Sequence, residues 1–255
     1  MGPYRWVISE EDRYWLAGIM ESDGFLGNNG GLHVAQNLVM RVAMTDLDVV
    51  ERVHELWDRL PGNRHVYVGR PAGERTKTLW STAISGDAAL SVLGIIYPLL
   101  GSRRRLQAQR AICIARPGAL SVVTVSPSSP TGSGGLSLHW LAGFLEGDGS
   151  FHMPFPSAPH KPRISVRKPH EDTLSLVSAL WGTKRQTVRR PGRRETYVAQ
   201  IGGNPAVLWM RKLHSLMGAR RRRQIDAALG CYHPKWSKHR QSEAAAMAAW
   251  DPVVA

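Results

Sequence analysis

Leu16-Ala17-Gly18-Ile19-Met20-Glu21-Ser22-Asp23-Gly24 recurs 125 positions later as Leu141-Ala142-Gly143-Phe144-Leu145-Glu146-Gly147-Asp148-Gly149. Each copy follows a tryptophan, Trp15 or Trp140, and each carries acids at its sixth and eighth positions. One apolar stretch ending in Asp-Gly is an ordinary helix terminus. Two copies, one in each half of a 255-residue chain, point to a duplicated element with a shared task.

The duplication extends outward from these stretches. Asp48 to Trp57 matches Asp172 to Trp181, Ile84 to Asp87 matches Ile201 to Asn204, and Gly101 to Arg105 matches Gly218 to Arg222. The offset shrinks from 125 to 124 and then 117, as expected when loops shorten and the elements keep their order. In the first half, Ser9-Glu10-Glu11-Asp12 has the form of a capping box and predicts a helix start, with the helix ending at Ser22 or Asp23 and Gly24 as its stop. A glycine-rich turn (Gly27 to Gly31) and strands at Leu32 to Asn37 and Val39 to Met44 are predicted next. Thr45 is placed to cap a helix from Asp46 to Trp57, whose Leu47, Val50, Val53, Leu56 and Trp57 share one face. Strands near Arg64 to Gly69 and Arg75 to Ile84 follow, then helices from Ser85 or Asp87 to Leu100 and from Ser102 to Ile114. Each half therefore reads α-β-β-α-β-β-α, an α+β chain of two domains. The boundaries are 1–115 and 137–230, with 116–136 as a linker rich in Pro, Gly and Ser, and 231–255 as a tail with room for one short helix. Duplicated halves predict a pseudo-twofold axis within a monomer.

Charge narrows the partners. Thirty-three Lys and Arg against 20 Asp and Glu give a net charge of +13, which favours a polyanion, nucleic acid or an anionic membrane surface. No apolar run has membrane-spanning length and no secretory signal is visible, so an intracellular, non-secreted protein is expected. The two cysteines, Cys113 and Cys231, lie far apart and speak against a disulfide framework or a cysteine zinc site. Their simplest reading is as small apolar side chains.

In each repeated stretch two small residues stand four apart, Gly18 with Ser22 and Gly143 with Gly147. Small residues at that spacing let two helix backbones approach closely, so the two stretches are expected to pack side by side. Their C-terminal ends then bring Asp23 and Asp148 together. A helix C-terminus carries partial negative charge, and two carboxylates there are costly unless a cation joins them. The carbonyls of Ser22 and Gly147 are available as further oxygen ligands. A hard, all-oxygen donor set points to Mg²⁺, which accepts substrate phosphate as a ligand, and the chemistry implied is metal-assisted phosphodiester hydrolysis.

At these residues the chain resembles the LAGLIDADG homing endonucleases, in particular the single-chain members with two motif copies. The likeness runs from about Ser9 to Gly230. It implies a saddle of two four-stranded antiparallel sheets on double-stranded DNA, with the paired helices over the minor groove. It also implies cleavage of both strands of a long asymmetric site, leaving 3′ overhangs. By motif position Asp23 and Asp148 match the metal-binding acids, Ser22 and Gly147 the residues lending carbonyls, and Glu21 and Glu146 a position of structural character. Mn²⁺ is expected to substitute for Mg²⁺, and Ca²⁺ to bind without cleavage. Members often carry a lysine near the site. The nearest matches here are Arg103 and Arg220, whose high pKa suits charge stabilisation better than proton transfer, and Lys168, whose counterpart in the first half is Met44.

Period-two alternation marks the DNA-facing strands. Lys161, Arg163, Ser165 and Arg167 share a face opposite Ile164 and Val166, while Arg194, Thr196 and Gln200 oppose Tyr197, Ala199 and Ile201. Arg75 and Lys77 oppose Thr78 and Trp80, Arg41 stands between Met40 and Val42, and Arg189 is a further candidate. Arginine suits guanine and glutamine suits adenine in the major groove. The runs Arg103 to Arg105 and Arg220 to Arg223 lie on helices and are expected to grip phosphate. An alternative on the same scaffold is an RNA-binding intron maturase, which needs the basic surface and not the acids. A nuclease nested in an intein is disfavoured, since the chain lacks the terminal nucleophile and His-Asn pair of self-splicing.

Overall fold

The computed structural model describes residues 8–29, 37–60, 66–69, 77–119, 137–153, 161–188, 192 and 195–232. By contacts these fall into two compact units, the first running to residue 119 and also taking His139–Asp148, the second beginning its sheet at Gly149.

In the first unit, helix α1 spans Glu10–Ser22 and starts as the capping box predicts. Ser9 Oγ accepts from the Asp12 amide at 3.1 Å and donates to Asp12 Oδ2 at 2.9 Å. The chain then enters β1 (Gly24–Asn29) directly, followed by β2 (Asn37–Met44), α2 (Leu47–Asp58), β3 (Val66–Gly69), β4 (Leu79–Ser85) and α3 (Gly86–Ile96). A single 3-10 turn, Tyr97–Leu99, leads to α4 (Ser102–Ala115). The antiparallel sheet has the order β1-β2-β4-β3. Leu38, Met40, Val42 and Met44 of β2 are buried and Arg41 is exposed, so the alternation decides which face meets α2 and α3.

The start of the sheet differs from the expectation. Gly24 follows the end of α1 as the expected stop and opens β1, whereas Gly27 lies inside β1 and not in the expected turn. A side chain at Gly24 would sit 2.5 Å from the Cα of Met20, and one at Gly27 would sit 2.6 Å from the ring of Phe25. These glycines answer a packing demand at the helix-to-strand junction, which sequence cannot distinguish from a turn. The predicted strand Leu32 to Asn37 lies outside the described residues except for Asn37, where β2 begins. Likewise Asp46, not Thr45, occupies the cap position of α2.

The second unit repeats the plan. After helix α5 (Leu138–Asp148) come β5 (Gly149–His152), β6 (Arg163–Lys168), α6 (Asp172–Leu180), β7 (Gln186–Val188), β8 (Thr196–Gly202), α7 (Asn204–His214) and α8 (Ala219–Gly230). Its antiparallel sheet has the order β5-β6-β8-β7, strand for strand the order of the first. Ile164 and Val166 are buried toward the helices and Arg163 and Arg167 are exposed. Of the expected linker, Pro117–Ala119 forms one 3-10 turn and residues 120–136 lie outside the described set. Cys113 and Cys231 are free thiols on the surface, contrary to the reading as apolar filler. No helix among the described residues is long and apolar enough to cross a membrane.

Candidate metal centre

The centre is built by two helices meeting at glycine. A methyl group on Gly18 would overlap the carbonyl oxygen of Trp140 and lie 2.7 Å from the Phe144 amide. One on Gly143 would overlap the carbonyl of Trp15 and lie 3.0 Å from the Ile19 amide. The contact is reciprocal, backbone against backbone, as the four-residue spacing of small residues predicts. One turn further on, Gly147 lies so close to α1 that a Cβ would sit 2.5 Å from Ser22 Oγ and 2.7 Å from Asp23 Oδ2. The helix ends therefore converge, with Ser22, Asp23, Gly147 and Asp148 in one place. Trp140 locks α5 in register by donating from its indole nitrogen to Leu99 O at 3.0 Å and stacking on Phe144, with ring centroids 5.1 Å apart.

The acids at the sixth motif position are buried, Glu21 and Glu146 each at 1% exposure. Glu21 Oε2 accepts from the Gly101 amide at 2.9 Å, so it caps the start of α4 and complements the positive end of that helix. Asp23 is exposed, and Asp148 is half-buried with its Oδ2 enclosed.

A buried cation, Arg104, sits at the end of α1 and is not singled out by the sequence. It is 7% exposed. Its Nε and Nη2 donate to Glu21 O at 3.4 Å, its Nη2 also to Ser22 O at 3.3 Å, and its Nη1 to Gln107 Oε1 at 3.0 Å. The last turn of α1 contains no basic residue, so Arg104 supplies from another helix the positive charge that its C-terminal carbonyls favour. Burial pushes its guanidinium below the ordinary arginine range and Arg103 pushes the same way, while Glu21, Asp148 and Asp23 pull it back up. Arginine stays charged under such opposing influences.

Arg104 was legible in principle. With Ala108, Ala111 and Ile112 it forms the buried stripe of α4, and Arg221 with Ile225 and Ala228 forms that of α8. The expectation that all of Arg103 to Arg105 and Arg220 to Arg223 grip phosphate therefore fails for Arg104 and Arg221, which are buried.

The other candidates fall as follows. Arg103 is half-buried and lines a groove of about 380 Å³ between β1 and α4, with Leu26, Asn28, Leu106 and Arg110. Arg220 is the second residue of α8 and is half-buried. Lys168 ends β6 opposite Tyr197 and is half-buried, and its counterpart Met44 is core. Arg41 packs its guanidinium over Phe25 at 5.0 Å on the exposed face of the first sheet. Lys77 is exposed, two residues before β4. Lys161, Arg163 and Arg167 are exposed, and Ser165 and Gln200 are half-buried cross-strand partners. Arg75, Arg189 and Arg194 lie outside the described residues.

The donors fit a hard divalent cation. Among the described residues no three of His, Cys, Asp and Glu gather into a metal-holding group. Two carboxylates beside helix-terminal carbonyls are the oxygen donors that could hold such a cation.

No family model matches the chain, and no curated protein matches it. Solved structures do. Meganuclease I-SmaMI bound to uncleaveable DNA aligns over 94% of this chain and 97% of its own, with 12% identity and a TM-score of 0.54. LAGLIDADG meganuclease I-AabMI bound to uncleaved DNA aligns over 86% and 90%, with 14% identity and a TM-score of 0.54. LAGLIDADG homing endonuclease I-GzeII in complex with its DNA target aligns over 91% of both chains, with 10% identity and a TM-score of 0.51. I-SmaMI is also known bound to its uncleaved target in the presence of calcium ions. At these identities the likeness is one of architecture: the chain has the fold of the LAGLIDADG homing endonucleases.

Proposed function

We propose that the chain is a site-specific endonuclease of double-stranded DNA that uses a divalent metal. The observation that carries this reading is the convergence of Asp23 and Asp148 at the ends of two helices packed through Gly18 and Gly143. A fold that serves only to bind nucleic acid gains nothing from gathering acids at a surface that must meet phosphate, since each repels the ligand. The DNA-bound state of the solved relatives supports the same partner. The intron-maturase alternative makes no use of the acid pair.

In this reading Asp23 and Asp148, with the carbonyls of Ser22 and Gly147, hold the cation. When bound, Mg²⁺ supplies Lewis acidity and a water of lowered pKa. Mn²⁺ serves in its place, and Ca²⁺ supports binding alone. Arg104 keeps the end of α1 charge-balanced, while Arg103, Arg220 and Lys168 face the phosphates and stabilise developing charge. The exposed sheet faces read base edges. Arg41, with Phe25 beside it and Tyr67 exposed on the same sheet face, forms one surface, and Arg163, Arg167 and Gln200 form another. Because the two surfaces differ, the target is asymmetric. Residues 1–115 and 137–230 each read one half of it within a monomer, joined by 116–136 and followed by the tail 231–255. Cuts on the two strands across a minor groove leave 3′ overhangs.

Selection of cleaved products from a randomised duplex library with Mg²⁺ tests this reading. The expected result is one long, non-palindromic consensus with 3′ ends extended, and uncut retention of the same consensus in Ca²⁺. Recovery of no cleaved duplex by the folded protein would sink it.

A further inference from the structure

Gln107 lies one turn beyond Arg104 on α4 and makes two hydrogen bonds of opposite sense. Its Oε1 accepts from Arg104 Nη1 at 3.0 Å, and its Nε2 donates to Leu26 O in β1 at 2.7 Å. Arg104 in turn donates to the carbonyls of Glu21 and Ser22, and the Glu21 carboxylate holds the Gly101 amide at the start of α4. The main chain is thus tied to α4 on both sides of Asp23, at Glu21 and Ser22 before it and at Leu26 after it. Asp23 itself is exposed and takes its position from this frame.

The side-chain type matters. A terminal amide can accept from a guanidinium and donate to a carbonyl at once; a carboxylate of the same length does only the first, and a thioether neither. The second half repeats the pair at the same spacing, with Arg221 Nη1 donating to Gln224 Oε1 at 3.1 Å. Of three consecutive arginines in the first run and four in the second, it is the buried one that has a glutamine three positions on.

We propose that Gln107 is a positioning residue for the metal centre: acting through Arg104 and Leu26, it fixes the backbone that presents Asp23 and the Ser22 carbonyl. This rests on the nuclease reading. Small displacements of a metal-holding acid cost far more in rate than in substrate affinity, because the geometry matters most where charge is redistributed.

The test compares Gln107→Met, which loses both bonds, with Gln107→Glu, which keeps the bond to Arg104, in the full chain. Three quantities are measured: Mn²⁺ affinity of the protein–duplex complex by electron paramagnetic resonance, duplex affinity in Ca²⁺, and the single-turnover cleavage rate in Mg²⁺. For Gln107→Met the expected result is a cleavage rate lower by roughly 10- to 100-fold and weaker Mn²⁺ binding, with duplex affinity changed less than about twofold. Gln107→Glu, which keeps only the bond to Arg104, should fall between Gln107→Met and the parent in Mn²⁺ affinity and rate. Parental Mn²⁺ affinity and rate in Gln107→Met would overturn the proposal, as would equal damage in the two variants, or duplex affinity falling in step with the rate. If Gln107→Met does not fold, Gln107→Glu decides alone: weaker Mn²⁺ binding with duplex affinity changed less than about twofold supports the proposal, and parental Mn²⁺ affinity and rate overturn it. A parent chain that neither cuts DNA nor binds Mn²⁺ instead sinks the nuclease reading itself.

Discussion

Replacing Asp23 or Asp148 with Asn, which keeps size and shape and removes the charge, is expected to lower double-strand cleavage by roughly 10³-fold or more, because a metal holding the scissile phosphate contributes several kcal/mol to the transition state. Duplex binding should be retained or tightened. In the proposed site each acid stands where phosphate approaches, and Asp23 Oδ2 lies beside Gly147 at the convergence of the helix ends, so removing either charge relieves repulsion. Cleavage time courses beside duplex titration in Ca²⁺ check this. Parental cleavage by either variant would remove that acid from the centre. The two variants should behave alike, since the acids occupy equivalent motif positions.

The second large effect concerns the helix contact. Gly18→Ala or Gly143→Ala introduces a methyl group where the partner's backbone already stands, against Trp140 O in one case and Trp15 O in the other. A flexible side chain could swing aside; a carbonyl inside a helix cannot, so α1 and α5 must move apart. Overpacking of this kind costs about 1–3 kcal/mol, and a backbone clash belongs at the upper end. For a chain of this length that corresponds to a fall in melting temperature of roughly 6–12 °C. Cleavage should fall further than stability, because separation of the helices also separates the acids they carry. Thermal denaturation of both variants, beside cleavage at a temperature where both remain folded, checks the two parts. A melting temperature within 2 °C of the parent would show that the helices do not meet as described.

Both effects trace to residues whose role is visible in the sequence. The duplicated nonamer names the two helices, the small residues four apart name their contact, and the apolar-polar alternation of Arg163 to Arg167 places β6 with its basic residues outward. What escaped has physical reasons. Gly27 in β1 lies under the ring of Phe25, and a local reading sees only a turn residue. Among three consecutive arginines, the one turned inward is decided by the buried stripe of the whole helix, Arg104 with Ala108, Ala111 and Ile112. A habit of assigning basic runs to the surface hides that stripe. Glu21 was placed correctly as a structural acid, but its partner, the Gly101 amide 80 positions away, depends on tertiary packing.

The arrangement divides labour within each repeated motif. Small residues bring the helices together and the sixth-position acids are buried, Glu21 holding the Gly101 amide, while in the proposed reading the eighth-position acids carry the chemistry. Arg104 reconciles the carbonyls of a helix end with the carboxylates that follow it.

The most direct measurement is anomalous scattering from a crystal of the protein–duplex complex grown with Mn²⁺. The account predicts a metal peak within roughly 2.0–2.6 Å of carboxylate oxygens of both Asp23 and Asp148. A complex with ordered DNA and no anomalous peak at either acid would contradict it.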